Sequence, residues 1–537
     1  MWEELKNPER QKMGIGHFIS RAAELHPERP AIEDLLNQRS LTYAELDARI
    51  NRLGRALTQL GVEKGDFVAS MLRNEHVLVE TVFACARIGA IVAPLNVRLI
   101  AGEVAEYVAD HGCRAAISDG DFTDRFADMG VALKIAFASG VIEGWHDYET
   151  LIASGNDAPL PAVTSLDDPY RLVMTGGTTG KSKGVLHSQG GSVITVLADI
   201  AEYGIGRGWQ TLTILPGYHV AGMEWGMFTI FARAGTVVFP ASASFDPDRY
   251  LAEIRKRKIE YLPLVPAVVN PLYDAWDWEP LLSPQTVITT ASPTPLPLRE
   301  KLAAMFPEAN IYAAAGLSES LNLATQGPGE FLAEPGAIGE PHLDTRVLIL
   351  DENDRPVPRG TPGNVAMRNF NTALGYHRND AAAAATWRRR AGDTEGLFWC
   401  FTGDIGVMDS AGRITLVDRS KDVVKTGGES VPSVEVESVY AAHAGVRDCA
   451  VIGVEDERWG EAILLIVVPE VAASKDRAFA DELFDWGRGE LSAFKVPKRI
   501  ALVDDLPRSH FGKVLKRELR EVEFDRVFYA DAERRPE

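Results

Sequence analysis

The chain has 537 residues, 46% hydrophobic and 25% charged, the balance of a folded globular protein and not of a collagen, mucin, disordered tail or coiled-coil rod. At about 150 residues per domain, this length suggests three or four domains or subdomains. A net charge of −20 argues against a general nucleic-acid binder, which needs a basic face to release counterions, yet leaves room for a small anion held by a local nest of backbone N–H groups.

The N-terminal segment MWEELKNPER carries early acids and no apolar core, so no secretory leader is expected. No apolar stretch approaches the ~18 residues that would span a bilayer. Cys85, Cys113, Cys400 and Cys449 are scattered without a C-x-x-C pair and read as buried small hydrophobes in a reducing compartment, not as a zinc site or disulfide frame. The expectation is a cytoplasmic protein without a membrane span, a monomer or homodimer.

Short apolar runs alternate with amphipathic stretches along most of the chain. Residues 172–174 read as a strand leading into a Gly- and Thr-rich segment. Strands follow at 211–215 and 236–239, then a helix start at Asp246-Pro247, a helix over 251–258 and strands at 261–265, 287–290 and 310–314. This alternation favours parallel sheets covered by helices, the α/β class. From about 335 turn residues crowd between alternating runs such as 346–350, which predicts a twisted, largely antiparallel β region. The alanines at 381–385 read as a piece of helix. Residues 414–417 predict a strand, and the charged stretch 418–422 a linker. A compact unit follows, with helices near 434–442 and 478–491 and strands at 449–454, 463–468 and 500–503. The domains are therefore placed at 1–420, with a β-rich subdomain over about 335–420, and at 421–537.

The most unusual segment runs MTGGTTGKSKGV from Met174. Thr175, Thr178, Thr179 and Ser182 lie among Gly176, Gly177, Gly180 and Gly184, with Lys181 and Lys183 at the end. Glycine lets backbone approach a ligand, hydroxyls and N–H groups donate to phosphate oxygens, and lysine adds charge. A Walker A loop would need glycine where Thr175 stands. The esterase elbow G-x-S-x-G matches at Gly180-Lys-Ser182-Lys-Gly184, and makes a serine hydrolase using Ser182 the remote alternative. An elbow needs a strand directly before its serine and a helix directly after it, and the segment after Gly184 reads as strand or turn. Ser492-Ala-Phe-Lys495 with Lys425-Thr-Gly427 is a reversed penicillin-binding pattern without S-D-N, and is set aside.

The segment resembles the phosphate loop of the acyl-adenylate-forming superfamily (acyl-CoA synthetases, luciferase-like enzymes and peptide-synthetase adenylation domains). The family form is close to Y-T-S-G-T-T-G-x-P-K-G-V, with Gly177 here for its serine and Ser182 for its proline. Further motifs follow in family order. LPGYHVAG from Leu215 resembles P-x-[FY]-H-x-x-G, and AGLSE from Ala315 resembles Y-G-x-T-E. TGD at Thr402 and DRSKD from Asp418 resemble the T-G-D and hinge elements, with KTGG at Lys425 and the Pro432-Ser-Val-Glu435 segment behind them. LPRSHFGK ending at Lys513 resembles L-P-[RK]-T-x-x-G-K. Milder similarity begins at Leu41 and Pro94, so nearly the whole chain is covered.

The resemblance implies a large N-terminal domain of two helix-covered sheets plus a β-barrel-like subdomain, and a small mobile α+β C-terminal domain. It implies formation of acyl-AMP from a carboxylate and ATP, then transfer to coenzyme A or, in relatives with the same body, to an amine. Two anions meet in the first step, so positive charge must be placed between them. By the resemblance, residues 175–183 and Ser318 contact ATP, and Glu319 holds Mg2+, a hard ion that keeps waters and takes few protein oxygens. Asp404 accepts the ribose diol, and Arg419 reaches ribose or phosphate. Lys513 bridges carboxylate and α-phosphate, Lys421 is the hinge, and Lys425, Gly427 and Gly428 line the pantetheine channel. His219, Val220, Met223, Trp225, Val265 and Ala314 wall the acyl pocket. His219 stands where amino-acid-adenylating domains carry an aspartate, which favours a plain carboxylate, and the bulk of the set favours a small or medium aromatic or cyclic acid. Two departures stand out. Ala315 replaces the aromatic that flanks adenine, so that either Tyr312 or another ring compensates or adenine is held less tightly, and Ser292-Pro293-Thr294 replaces a Gly-Gly-Ala strip.

Overall fold

Apolar runs without polar alternation become central strands. Ile91–Pro94, Thr236–Phe239, Tyr261–Leu264 and Thr286–Thr289 are buried along their whole length, as parallel strands covered on both faces must be. In the computed structural model of the protein, the described residues are 13–530 apart from 128, 176–182, 243, 395, 420, 427–428, 457, 471–475 and 509–513. The chain forms two compact units. The first takes residues up to Val347 with Met367–Arg389 and Asp393–Cys400. The second takes Leu348–Ala366, Arg390–Gly392 and the chain from Phe401.

The first unit holds two large sheets. One has eight strands, ordered Gly375–Tyr376, Lys183–Ser188, Pro169–Thr175, Ile91–Pro94, Phe67–Met71, Ala115–Asp119, Leu133–Phe137 and His146–Asp147. It is parallel except at the first two strands, which run antiparallel to their neighbours. The other has nine strands, with a parallel centre from Asn310–Leu317 through Tyr261–Leu264 and Thr236–Phe239 to Pro30–Asp34. One core joins Val68 and Ile117 of the first sheet, Val237 and Ile288 of the second, and Leu53, Phe83 and Phe231 from helices. The helix His76–Ile88 is buried on nearly every side, as its mostly apolar sequence demands, and its buried Glu80 is paired with Arg49 at 2.7 Å. Gly89 ends it at φ +78°, a left-handed stop that glycine adopts without strain.

Most predicted elements are present with shifted ends. The strand expected over 211–215 stops at Leu212. The helix expected over 251–258 begins earlier, at Pro247, because Asp246 caps it by accepting the Arg249 N–H at 3.1 Å and proline is tolerated at a first helical position. The alanine run lies in the helix Asp380–Thr386, capped by Asn379. The antiparallel texture expected beyond 335 is found in both units: Trp387–Arg389 pairs with residues 398–400 in the first, and residues 404–408 pair with Ile414–Arg419 in the second. The predicted linker is corrected at its start, since Asp418 and Arg419 complete that last strand. Cys85, Cys113 and Cys400 are buried, Cys449 is half-buried, and all four are free thiols.

The rest of the second unit is a six-stranded sheet built around the long antiparallel pair Val446–Asp456 and Gly460–Pro469. The helices Ser433–Ala441 and Arg477–Glu490 supply Val436, Tyr440, Phe479 and Leu483 to its core. Among the described residues no helix is long and apolar enough to cross a membrane.

Candidate active site

The Gly- and Thr-rich segment joins two antiparallel strands, Pro169–Thr175 and Lys183–Ser188, whose last rung pairs Thr175 with Lys183. Gly176, Gly177, Thr178, Thr179, Gly180, Lys181 and Ser182 lie outside the described residues. Their flanks decide against the esterase elbow. A strand, not a helix, begins at Lys183, and the next helix starts only at Gln189. Lys183 Nζ stands 4.8 Å from the centre of the Tyr376 ring.

Glu319 lies in the turn between strands Asn310–Leu317 and Leu321–Gln326. It does not cap a helix. Only glycine fits at 316, because a Cβ there would lie 2.3 Å from the Leu321 carbonyl oxygen. Residues 369–377 tie this turn to the strand Lys183–Ser188. On one side the Ala373 N–H donates to the Glu319 carbonyl at 3.1 Å, and Asn369 accepts from Ser320 Oγ at 3.1 Å and donates to the Asn322 carbonyl at 3.2 Å. On the other, the Leu374 N–H donates to the Leu186 carbonyl at 2.8 Å and the His377 N–H to the Gly184 carbonyl at 2.9 Å. At the centre Tyr376 Oη donates to Glu319 Oε1 at 2.7 Å. Burial and the Glu319 charge push the Tyr376 phenol above its usual range, so it remains a neutral donor. Ser318 is half-buried in the same turn, and its backbone faces the buried His187 ring, whose imidazole is held well below its ordinary range by burial and by Arg171.

His219 precedes the helix Val220–Met223, which runs on through a π-helical turn, Glu224–Phe228, a form that recurs at functional sites. Asn74 fixes the approach. Its Nδ2 donates to the Leu215 carbonyl and its Oδ1 accepts from the Gly217 N–H, both at 2.8 Å. The His219 side chain is half-buried, with its ring centre 4.6 Å from that of Tyr218. Met223, Trp225 and Ala314 belong to one buried cluster, while Val220 and Val265 are half-buried. The Trp225 ring reaches the Glu319 hairpin, with Cη2 3.7 Å from where a Cβ on Gly316 would sit. Tyr312 does not stand in for the missing aromatic at 315. Side chains three apart on a strand point to opposite faces, and the Tyr312 ring packs edge-on against Tyr203 at 5.2 Å. In the strip after Thr286–Thr289, Ala291 is exposed at φ +73° and the Thr289 and Thr294 hydroxyls lie 2.9 Å apart.

In the second unit Asp404 and Arg419 are register partners on adjacent strands, with Arg419 Nε 2.6 Å from Asp404 Oδ1. The Asp404 N–H donates to Thr402 Oγ1 at 3.1 Å. Burial lowers the Lys421 amine from its usual range, and the neighbouring Asp422 is paired with Arg520 at 2.9 Å. Lys425 lies in the strand Val424–Thr426, its N–H donating to Glu461 Oε2 at 2.7 Å. Gly427, Gly428 and Lys513 lie outside the described residues.

Among the described residues no group of three or more His, Cys, Asp or Glu side chains forms a metal cage. Glu319 fits a different donor set. Tyr376 occupies Oε1, and Oε2 has no protein partner among the described residues. One carboxylate oxygen suits magnesium that takes its other ligands from phosphate and water. Tyr376 and Asn74 escaped sequence reasoning, for neither carries a local pattern. The only available signal was Gly375-Tyr376 as a possible edge strand.

The chain is 29% identical over 521 residues to a feruloyl-CoA synthase of an Amycolatopsis species, covering 95% of this chain and 99% of that one. It is 30% identical over 527 residues to an indoleacetate–CoA ligase of Aromatoleum aromaticum, covering 96% and 99%. The structure of ATP-bound MatB from Rhodopseudomonas palustris superposes with a TM-score of 0.83 at 26% identity, over 95% of this chain and 99% of that one. Residues 19–377 match the AMP-binding enzyme family and 435–513 its C-terminal domain; the chain belongs to the AMP-binding enzyme family, the acyl-adenylate-forming superfamily.

Proposed function

We infer that the protein is an acid–thiol ligase that activates a carboxylic acid with ATP, releases pyrophosphate, and passes the acyl group from acyl-AMP to the thiol of coenzyme A. The observation that carries the reading is the stitching of the Glu319 turn to the strand Lys183–Ser188 by residues 369–377. It brings the Glu319 carboxylate and Lys183 to the same Tyr376 side chain, which supports Glu319 as the metal carboxylate and Lys183 as a phosphate lysine. The relatives' names support the thiol as acceptor.

In this reading Thr175, Thr178 and Thr179 donate to the β- and γ-phosphates, and Lys181 and Lys183 neutralise them. Glu319 and Ser318 face the same triphosphate, with magnesium on Glu319 supplying charge neutralisation there. Asp404 accepts the ribose hydroxyls with Arg419 beside it. Lys513 joins carboxylate and α-phosphate as the new bond forms, where fixed positive charge lowers the barrier most. Rotation at Lys421 then exchanges Lys513 for the Lys425, Gly427 and Gly428 loop, and a hinge needs only a few residues to absorb such a change. His219, Val220, Met223, Trp225, Val265 and Ala314 receive the acid. Their apolar bulk supports a small or medium aromatic or cyclic acid, as does the aromatic character of feruloyl and indoleacetate, for which the two relatives are named.

Pyrophosphate release across a panel of aryl, arylacetic, cyclic and straight-chain carboxylic acids, with and without coenzyme A or amines, tests the reading. Release with aromatic acids, and thioester only when coenzyme A is present, is expected. Absence of release with every acid overturns it.

A further inference from the structure

We propose that Tyr376 is a positioning residue for the metal ligand, its phenol fixing the Glu319 carboxylate so that Oε2 is presented to the divalent cation of the nucleotide. The inference rests on the reading of Glu319 as that ligand. A glutamate in a turn has three rotatable side-chain bonds, and ordering them when the cation arrives opposes binding. A hydrogen bond already made at 2.7 Å removes part of that opposition. The donor is itself held by its neighbours. The Tyr376 ring is buried, with its centre 4.8 Å from that of the Trp387 ring, and the Thr386 hydroxyl lies 3.5 Å from Oη. Its backbone is held by pairing of Gly375 and Tyr376 with Leu186 and Val185.

Strand parity makes the choice of residue specific. Tyr376 meets Glu319 and Lys183. The next residue, His377, projects the other way, with Nδ1 2.8 Å from His111 Nδ1 and its ring 4.5 Å from Phe67. One side chain thus contacts the carboxylate assigned to the cation and a lysine assigned to the phosphates. The hydroxyl serves the first and the ring face serves the second, so the two roles separate by substitution. Phe keeps the ring and removes the donor, while Leu removes both.

The test titrates Mn2+, as the paramagnetic stand-in for Mg2+, into full-length protein with a non-hydrolysable ATP analogue, reading free Mn2+ by electron paramagnetic resonance. Wild type, Y376F, Y376L, E319Q and protein carrying 3-fluorotyrosine at 376 are compared, with melting curves to establish folding. Y376F is expected to weaken Mn2+ binding about tenfold, the scale of a hydrogen bond to a charged group. Its half-saturating metal concentration in pyrophosphate release should rise in step while kcat at saturating metal stays near wild type. Fluorotyrosine, which keeps ring and hydroxyl, restores wild-type binding, and Y376L also weakens the metal-free nucleotide. If Y376F binds Mn2+ within twofold of wild type while E319Q is weakened, the proposal falls and the reading of Glu319 stands. If E319Q is unchanged as well, both fall.

Discussion

Arg171 and Glu224 form an ion pair closed to solvent, with Nη2 2.7 Å from Oε1 and side chains 0% and 2% exposed. It joins the strand Pro169–Thr175 to the π-helical turn that carries Trp225. Ser192 Oγ donates to the same Oε1 at 2.8 Å, and Arg171 Nη1 reaches Met223 Sδ at 3.1 Å. Burial pushes the Glu224 carboxyl up, and Arg171 opposes that rise. Removing one partner strands the other charge, which costs about 3–5 kcal/mol, whereas replacing both with apolar groups is often neutral. Arg171→Met should therefore lose about that much stability in urea denaturation, and Arg171→Met with Glu224→Leu should recover most of it. A single variant within about 1 kcal/mol of wild type would show that the charge is relieved some other way.

Lys513 and Lys421 act in different half-reactions under the proposed mechanism. Lys513→Ala should slow acyl-AMP formation several-hundredfold, roughly 3–4 kcal/mol of transition-state stabilisation, yet leave thioester formation from supplied acyl-AMP largely intact. Lys421→Pro, which fixes φ, should give the opposite pattern. Pyrophosphate release and thioester formation measured separately decide this, and equal loss of both steps in either variant counts against the alternation.

Asp404 is paired with a partly exposed Arg419, and such pairs contribute little to stability, about 0–1 kcal/mol. Asp404→Ala should melt close to wild type. Its KM for ATP should rise at least about tenfold through loss of a charged hydrogen-bond acceptor, with the KM for the acid little changed. A large fall in melting temperature would make the residue structural.

His342 is 1% exposed, with Nδ1 2.7 Å from Asp344 and Nε2 3.3 Å from Asp199. Burial alone would lower its imidazole, but the adjacent Asp199 and Asp344 carboxylates outweigh it and hold the group at about 9. A histidine raised in the folded state stabilises fully below its ordinary value near 6.5 and loses that contribution as pH climbs through about 9. Denaturation midpoints should fall between pH 6.5 and 9, and His342→Gln should start lower and fall less. Parallel curves for the two proteins would remove His342 from the account.

The segment 175–183 was conspicuous in the sequence because few plain loops concentrate glycine, hydroxyl and lysine so densely; the strand before it followed from an apolar run, whereas the residues after Gly184, read as strand or turn, form a strand. Glu319 was singled out by the resemblance of AGLSE to Y-G-x-T-E, and its position after an apolar strand agreed with that reading. What it did not reveal depends on partners distant in the chain. Tyr376 sits in a two-residue edge strand that carries no periodicity. Arg171, a charge inside an apolar strand, is explained only by Glu224 on another element. Asn74 works through the backbone of Leu215 and Gly217, whose identities say nothing about it.

The short strand Gly375–Tyr376 also works as a ruler. From Ala373 to His377 successive backbone groups reach Glu319, Leu186 and Gly184, so the spacing between the two hairpins is counted in whole residues. Inserting or deleting one residue between 373 and 376 would reverse parity and turn Tyr376 toward the face that His377 now occupies. Side chains here are open to exchange, but length is not. Homologous chains that vary freely in composition through this segment should keep its residue count, and libraries built across it should tolerate substitution far better than single-residue indels.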